Sequence, residues 1–181
     1  MVPLPSTVIN SDAYVWEEDG EPLDDYSANR AFMMWMTHLD HLPTRSRIAI
    51  WAVNIVDSCC VCNVYMESRD HLFLRCAFSE SIWLLVLKRL GYKPVRFHTW
   101  TAFMDWMGSK DTICPTSLRR VAAQATVYSL WWERNNRLHN SVSTPVASTF
   151  KKIDRFVRNI ITARRDRKKF RTLMSQWLKY E

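Results

Sequence analysis

The sequence predicts a mainly α-helical protein. Apolar residues recur at three- and four-residue spacing along most of the chain after Ser27, and period-two alternation is weak throughout. Only three glycines occur in 181 residues. Scarce glycine leaves few positions suited to positive φ, which argues against tight hairpins and Gly-rich phosphate loops. The longest apolar runs, Ala31 to Met36 and Ile82 to Leu87, have six residues. A membrane-spanning helix needs about 20, so no membrane insertion is expected. Met1-Val2-Pro3-Leu4-Pro5 has neither a basic start nor an apolar signal core, and secretion is not expected either.

Residues 1–27 read as an acidic lead-in, poorly ordered, with Pro3 and Pro5 and no sustained apolar period. Ser27 caps a first helix carrying Ala31, Met34, Trp35 and Leu39, which His41-Leu42-Pro43 ends. Thr44 caps a second through Ile48 and Trp51. A coil-like stretch follows to about Arg69, then a short helical turn from His71 to Cys76. Ser79 caps the next helix, with Ile82, Trp83, Val86, Leu87 and Leu90 on one face and Gly91 as its left-handed stop. Thr99 to Met107 repeats this grammar and closes at Gly108. Pro115-Thr116-Ser117 opens a long helix holding Leu118, Val121, Ala122, Ala125, Tyr128 and Trp132 in register. Thr144-Pro145 opens the last, since proline suits a first helical turn; its stripe is Val146, Phe150, Ile153, Val157, Ile160 and Ile161. A break near 110–115 divides a domain at 28–109 from a helical C-terminal pair at 115–181.

The formal charge of +7 is uneven. Residues 1–50 carry a net −5, residues 51–150 a net +4 and residues 151–181 a net +8. Arg164, Arg165, Arg167, Lys168, Lys169 and Arg171 crowd into eight positions. Such a run can contact phosphates, serve as a nuclear-import signal, or be a solvated helix end. RNA or DNA is the partner that the polyanion reading implies.

Four of the five cysteines lie between Cys59 and Cys76. Clustered cysteines in an intracellular, reducing compartment point to metal before disulfides. Cys59-x2-Cys62 can put two thiolates on one tetrahedral ion, and His71 with Cys76 can supply the other corners, a donor set that suits zinc. Buried free thiols with a core histidine, or a redox pair at Cys59 and Cys62, remain open alternatives. Cys60 would give only a poor C-x-C spacing and reads as a bystander; Cys114 reads as a small core residue.

Neighbouring residues add a resemblance. Leu42-Pro43-Thr44-Arg45, Cys59-Cys60-Val61-Cys62, Glu67-Ser68-Arg69-Asp70-His71-Leu72-Phe73-Leu74-Arg75-Cys76, Phe78-Ser79 and Ile82-Trp83 follow one another in order. Together they resemble the zinc-binding domain that follows the reverse transcriptase of plant LINE-type, non-LTR retrotransposons. The likeness covers residues 26–91 and extends loosely through Trp131-Trp132-Glu133-Arg134-Asn135-Asn136-Arg137. The lead-in before Ala31 is shorter than the family's usual segment, which implies an N-terminal side that is not complete.

The resemblance implies one structural zinc ion on Cys59, Cys62, His71 and Cys76, and hence a small zinc-stapled helical domain ahead of the C-terminal pair. Four protein donors leave no position for substrate, so no catalysis and no small-molecule substrate are expected. The implied role is non-catalytic nucleic-acid binding; the rivals are a zinc-stabilised protein-interaction module docking through the 145–165 stripe, and a decayed fragment. Enzyme motifs are lacking: Asp24-Asp25-Tyr26 reads as acidic loop, and His38, Asp40 and His41 as surface polar residues at a helix end. Of the tryptophans, Trp35, Trp51, Trp83, Trp106 and Trp132 are expected in the core, and Trp177 is the one placed to stack on a base.

Overall fold

The computed structural model describes residues 17–18, 21–22, 25–51 and 56–181. The chain is mainly α-helical, as expected. Its one sheet among the described residues is a two-residue antiparallel ladder, β1 (Glu17–Glu18) with β2 (Glu21–Pro22), inside the stretch read as lead-in. The rest of that lead-in lies outside the described residues. The helices are α1 (Asp25–His38), α2 (Arg45–Ala49), α3 (Ala77–Arg89), α4 (Trp100–Gly108), α5 (Thr116–Asn140), α6 (Val146–Ala163) and α7 (Leu173–Leu178). A π-helical turn occupies His71–Arg75 and a 3₁₀ turn Lys168–Phe170. Among the described residues no helix is long and apolar enough to cross a membrane.

Helix boundaries follow cap chemistry where the cap side chain has no other partner. Thr99 accepts a hydrogen bond from Ala102 N at 3.2 Å and starts α4 as expected. After α3, Gly91 takes φ +84°; its N–H reaches Lys88 O at 3.0 Å and Tyr92 N–H reaches Leu87 O at 2.9 Å. These two bonds form a Schellman stop. Ser79 does not cap α3, which begins two residues earlier after Cys76. Its buried hydroxyl donates instead to Leu72 O at 2.5 Å, fastening α3 to the π turn. Likewise α1 starts at Asp25, ahead of Ser27. Thr44 holds the N-cap position of α2 with extended backbone but makes no side-chain cap bond.

Helix α5 is the central pillar and packs against α1, α3, α4 and α6. One core therefore runs through both sides of the 110–115 connection, from Leu72, Phe73 and Trp83 to Leu118, Leu130, Ile153 and Trp177. Helix α6 turns its stripe inward: Ile153, Val157, Ile160 and Ile161 are buried, so this face is core and not a docking surface. Cys114 is buried in the same core, as expected, and burial pushes its thiol up to about 11.

The tryptophans divide differently from the expectation. Trp83 is buried, with its indole N–H on Phe73 O at 2.7 Å, and Trp106 packs beside it and Phe103. Trp35, Trp51 and Trp132 are instead 47%, 72% and 44% exposed. Successive helical residues point about 100° apart, so of the pair at 131–132 only Trp131 reaches inward, stacking on Phe73. Trp177 is 0% exposed, with its N–H on Asp154 Oδ1 at 2.8 Å. Folding of α7 back onto α6 buries it, so it has no free face for a base.

Candidate metal centre

The first half of the centre is a tight knuckle. Ser58 and Met66 form an isolated antiparallel bridge, Cys59 N–H donates to Tyr65 O at 2.7 Å, and Asn63 N–H closes back on Cys59 O at 2.7 Å. Asn63 has φ +56°, a left-handed conformation that asparagine tolerates better than most residues. This reversal sends the Cys59 and Cys62 side chains to one side of the loop.

The second half is the π turn. In an α-helix, residues five apart point about 140° away from each other. The wider turn, closed by Cys76 N–H on His71 O at 2.7 Å, brings His71 and Cys76 back to a shared side. Ser68 Oγ accepts from His71 N at 3.2 Å at its start.

Cys59, Cys62, His71 and Cys76 thereby converge, with their donor atoms all within 4.8 Å of one another. Cys62 Sγ lies 3.3 Å from His71 Nε2, and Tyr65 packs over the imidazole with ring centroids 5.5 Å apart. Cys59 and Cys76 are fully buried and His71 nearly so. A tetrahedral ion at ordinary zinc–thiolate and zinc–imidazole lengths needs donors about 3.5–3.8 Å apart, so a modest adjustment of these side chains accommodates one.

The electrostatics fit the same ion. The Cys76 hydrogen bond, helped by one from His71 and working against burial, holds the Cys59 thiol down at about 4. Cys76 is pushed up, first by that bond to Cys59 and then by burial, and His71 is pushed up by its bonds to the cysteines. One thiolate among crowded sulfurs resists a second, and a dication relieves that repulsion. These four residues can hold one zinc ion, and as four protein donors they make a closed, structural type of site.

Four side chains that the motif likeness contains without a role of their own, Glu67, Glu133, Arg134 and Arg137, hold the knuckle in place. Glu67 is fully buried and its carboxylate accepts from Arg45 N at 2.9 Å, Cys60 N at 3.2 Å and Arg134 Nη2 at 2.8 Å. Burial alone would raise its pKa, but Arg134 and these donors outweigh it and keep the carboxyl below its usual range. Arg134 also donates to Pro43 O at 3.2 Å, and Arg137 donates to Val61 O at 2.8 Å inside the knuckle. Glu133 orients Arg137 at 2.8 Å and accepts from Thr144 N at 2.7 Å. The end of α5 is thus a clamp on the metal loop. The one sequence signal for it is the loose likeness through Trp131 to Arg137.

Cys60 stays outside the donor group; its thiol donates to Glu67 Oε2 at 3.2 Å and is pushed up to about 12, chiefly by burial and by that carboxylate. His38 accepts from Trp100 Nε1 at 3.3 Å, and neither it nor His41 joins a metal-type cluster among the described residues. Asp24 lies outside the described residues, while Asp25 and Tyr26 open α1. The structure places Arg164, Arg165, Arg167, Lys168, Lys169 and Arg171 in the connection from α6 to α7, anchored by the buried Phe170. Arg165, Lys168, Lys169 and Arg171 are exposed, and Arg164 and Arg167 partly buried.

Residues 11–83 match the family model described as zinc-binding in reverse transcriptase, a span that contains all four donors and Glu67. No curated protein and no solved structure matches the chain.

Proposed function

We propose that this chain is a non-catalytic, zinc-dependent nucleic-acid-binding module, derived from the reverse-transcriptase polyprotein of a plant LINE-type retrotransposon. The observation that carries the reading is the match to the zinc-binding region of reverse transcriptase over the span that holds the four converging donors. The retroelement origin rests on the motif likeness from Leu42 to Trp83. In such a polyprotein the module would keep template RNA or target DNA near a polymerase carried on another segment. Zinc would staple the knuckle to the π turn; the exposed bases of the α6–α7 connection would meet phosphates.

Phosphate contact releases counterions, so affinity should fall steeply with salt. The test pairs zinc content of the purified protein with RNA and single-stranded DNA shift assays at two salt concentrations. The expected results are one zinc per chain, lost in the Cys62→Ala, His71→Ala double variant, and binding that weakens with salt. Replacing Arg164, Arg165, Arg167, Lys168, Lys169 and Arg171 by glutamine should flatten the salt slope. Unchanged zinc in the double variant would sink the metal assignment, and equal binding by the neutralised protein would remove the connection from the interface.

A further inference from the structure

A cleft of about 300 Å³ opens between α5 and α6. Tyr128, Trp132 and Phe156 supply aromatic walls, and Glu133, Thr149 and Lys152 add polar groups to the lining. Trp132 is half exposed here, while Val127 and Leu130 on the same helix are buried.

Two polar groups of this lining are unsatisfied. Glu133 is 1% exposed and Thr149 2% exposed, yet Glu133 Oε2 and Thr149 Oγ1 have no hydrogen-bond partner. Glu133 Oε1 is fully used by Arg137 and Thr144 N, so the arrangement holds one oxygen in reserve. Buried polar atoms are costly to leave unmatched, and a ligand that supplies N–H donors would match them.

The charges around the cleft narrow the ligand. Lys152 Nζ already sits 4.2 Å from the Trp132 ring centroid, and Arg30 Cζ lies 4.3 Å from that of Phe156. A cationic side chain or quaternary amine would meet two cations on the very rings it needs. A neutral, flat, nitrogen-bearing ring linked to an anion suits the set instead: rings for stacking, a carboxylate oxygen for an amino group, and Lys152 for the phosphate.

We propose that this cleft binds one amino-bearing nucleobase, adenine or cytosine, of a mononucleotide or of a strand. The strand form rests on the nucleic-acid reading above; the mononucleotide form stands without it. Tyr128, Trp132 and Phe156 enclose the ring, Glu133 Oε2 accepts from the exocyclic amine, and Thr149 Oγ1 offers a second polar contact.

The test uses the zinc-loaded full chain, with AMP and UMP titrated by calorimetry and a ten-nucleotide oligo-rA by fluorescence anisotropy. AMP should bind, and UMP, which lacks the amine, about tenfold more weakly. Glu133→Gln, Thr149→Val and Trp132→Ala should each weaken AMP about tenfold or more, while neutralising residues 164–171 should leave AMP binding unchanged. Zinc content and the unfolding midpoint report folding; if Glu133→Gln unfolds, Thr149→Val and Trp132→Ala decide the outcome. Oligo-rA binding that is unaffected by these variants, without AMP binding, overturns the cleft and spares the nucleic-acid reading. AMP binding without oligo-rA binding supports the cleft as a mononucleotide site and overturns that reading. Binding of neither overturns both.

Discussion

The buried carboxylate of Glu67, four residues ahead of the donor His71, is held at 2.8 Å by the guanidinium of Arg134 from the far end of α5. Both side chains are almost fully excluded from solvent, at 0% and 3% exposure. The pair joins the metal loop to the central helix, and Arg134 also covers the Trp131 ring at 4.8 Å. The region matched by the family model therefore relies on a residue 51 positions beyond its end, at 83 against 134.

Arg134→Met should destabilise the zinc-loaded protein by about 3–5 kcal/mol, because it strands a buried carboxylate. Zinc affinity should fall with it, by roughly 10–100-fold, as happens when groups supporting the ligands are lost. The double variant Glu67→Met, Arg134→Met should recover only part of the stability: no uncompensated charge remains buried, but Arg45 N and Cys60 N lose their acceptor. Denaturant unfolding and competition with a zinc chelator read the two effects separately. A single variant as stable as the parent would show that the pair is dispensable.

This relationship marks where sequence reading ends. The donor set was legible because spacing and residue type are local: Cys59-x2-Cys62 and His71-x4-Cys76 can be read without knowing the fold. Helix stops at Gly91 and the cap at Thr99 were legible for the same reason. The Glu67–Arg134 pair spans 67 residues, and no periodicity announces it. Ser79 does not cap α3 because a serine hydroxyl has two competing uses, and the tertiary acceptor Leu72 O takes it from the helix end. The tryptophan assignments failed on α5 because a 25-residue helix with neighbours on several sides still leaves one arc open, and Trp132 occupies it. Trp177 went the other way, since a basic stretch conceals how completely α7 folds back.

Removing the metal should loosen the knuckle while α5 and α6 persist. The backbone bonds of the 57–76 region are mostly local, such as Cys59 N to Tyr65 O and Glu67 N to Asp57 O, with Ser46 N on Glu67 O reaching in from α2. Structural zinc contributes on the order of 10–16 kcal/mol in small zinc-finger peptides, more than a domain's usual margin. With a chelator present, amide hydrogen exchange should rise first in residues 57–76 and the unfolding midpoint should drop. Protection there that survives metal removal would mean the loop folds on its own.

Two left-handed positions provide an opposed pair of tests. Ser141 ends α5 with φ +54°, a conformation costing an L-residue about 1–2 kcal/mol. Glycine relieves that but adds roughly 0.5–1 kcal/mol of unfolded-state entropy, so Ser141→Gly should gain up to about 1.5 kcal/mol. Gly91→Ala should lose stability: φ is +84°, and a Cβ there would lie 2.5 Å from Tyr180 Cε2. Shifts of opposite sign in the denaturant midpoint are expected, and shifts of the same sign would contradict the backbone argument.

The network of Asp111, Tyr92 and Arg119 sets a pH dependence. Burial works to raise the Asp111 pKa, but the Tyr92 hydroxyl, the Cys114 and Ile113 N–H groups and Arg119 together lower it. Arg119 is fully buried and donates to Asp111 Oδ2 at 2.7 Å. A carboxyl whose folded pKa is depressed stabilises the fold above its ordinary value and loses that contribution as pH falls through the folded value. The stability difference between the parent protein and Asp111→Asn should be constant near neutrality and shrink below the usual carboxylate range. Using the difference cancels the acid release of zinc common to both. A difference that grows on acidification would reverse the assigned direction.

Trp177 is a structural anchor, and its variants should separate folding from ligand binding. The indole is fully buried, its N–H bonds Asp154 Oδ1 at 2.8 Å, and Arg89 Cζ stands 5.5 Å from its ring centroid. Asp154 in turn holds Arg158 at 2.8 Å, so the residue locks α7 to α6. Trp177→Ala should cost about 3–5 kcal/mol through the cavity it leaves. Trp177→Phe keeps most of the apolar volume and loses the N–H bond, and should cost about 1–3 kcal/mol as Asp154 Oδ1 loses a partner. Oligonucleotide affinity of the folded Trp177→Phe protein should equal that of the parent, because no face of the ring is open to a base. A clear loss of affinity at unchanged stability would return Trp177 to the binding surface.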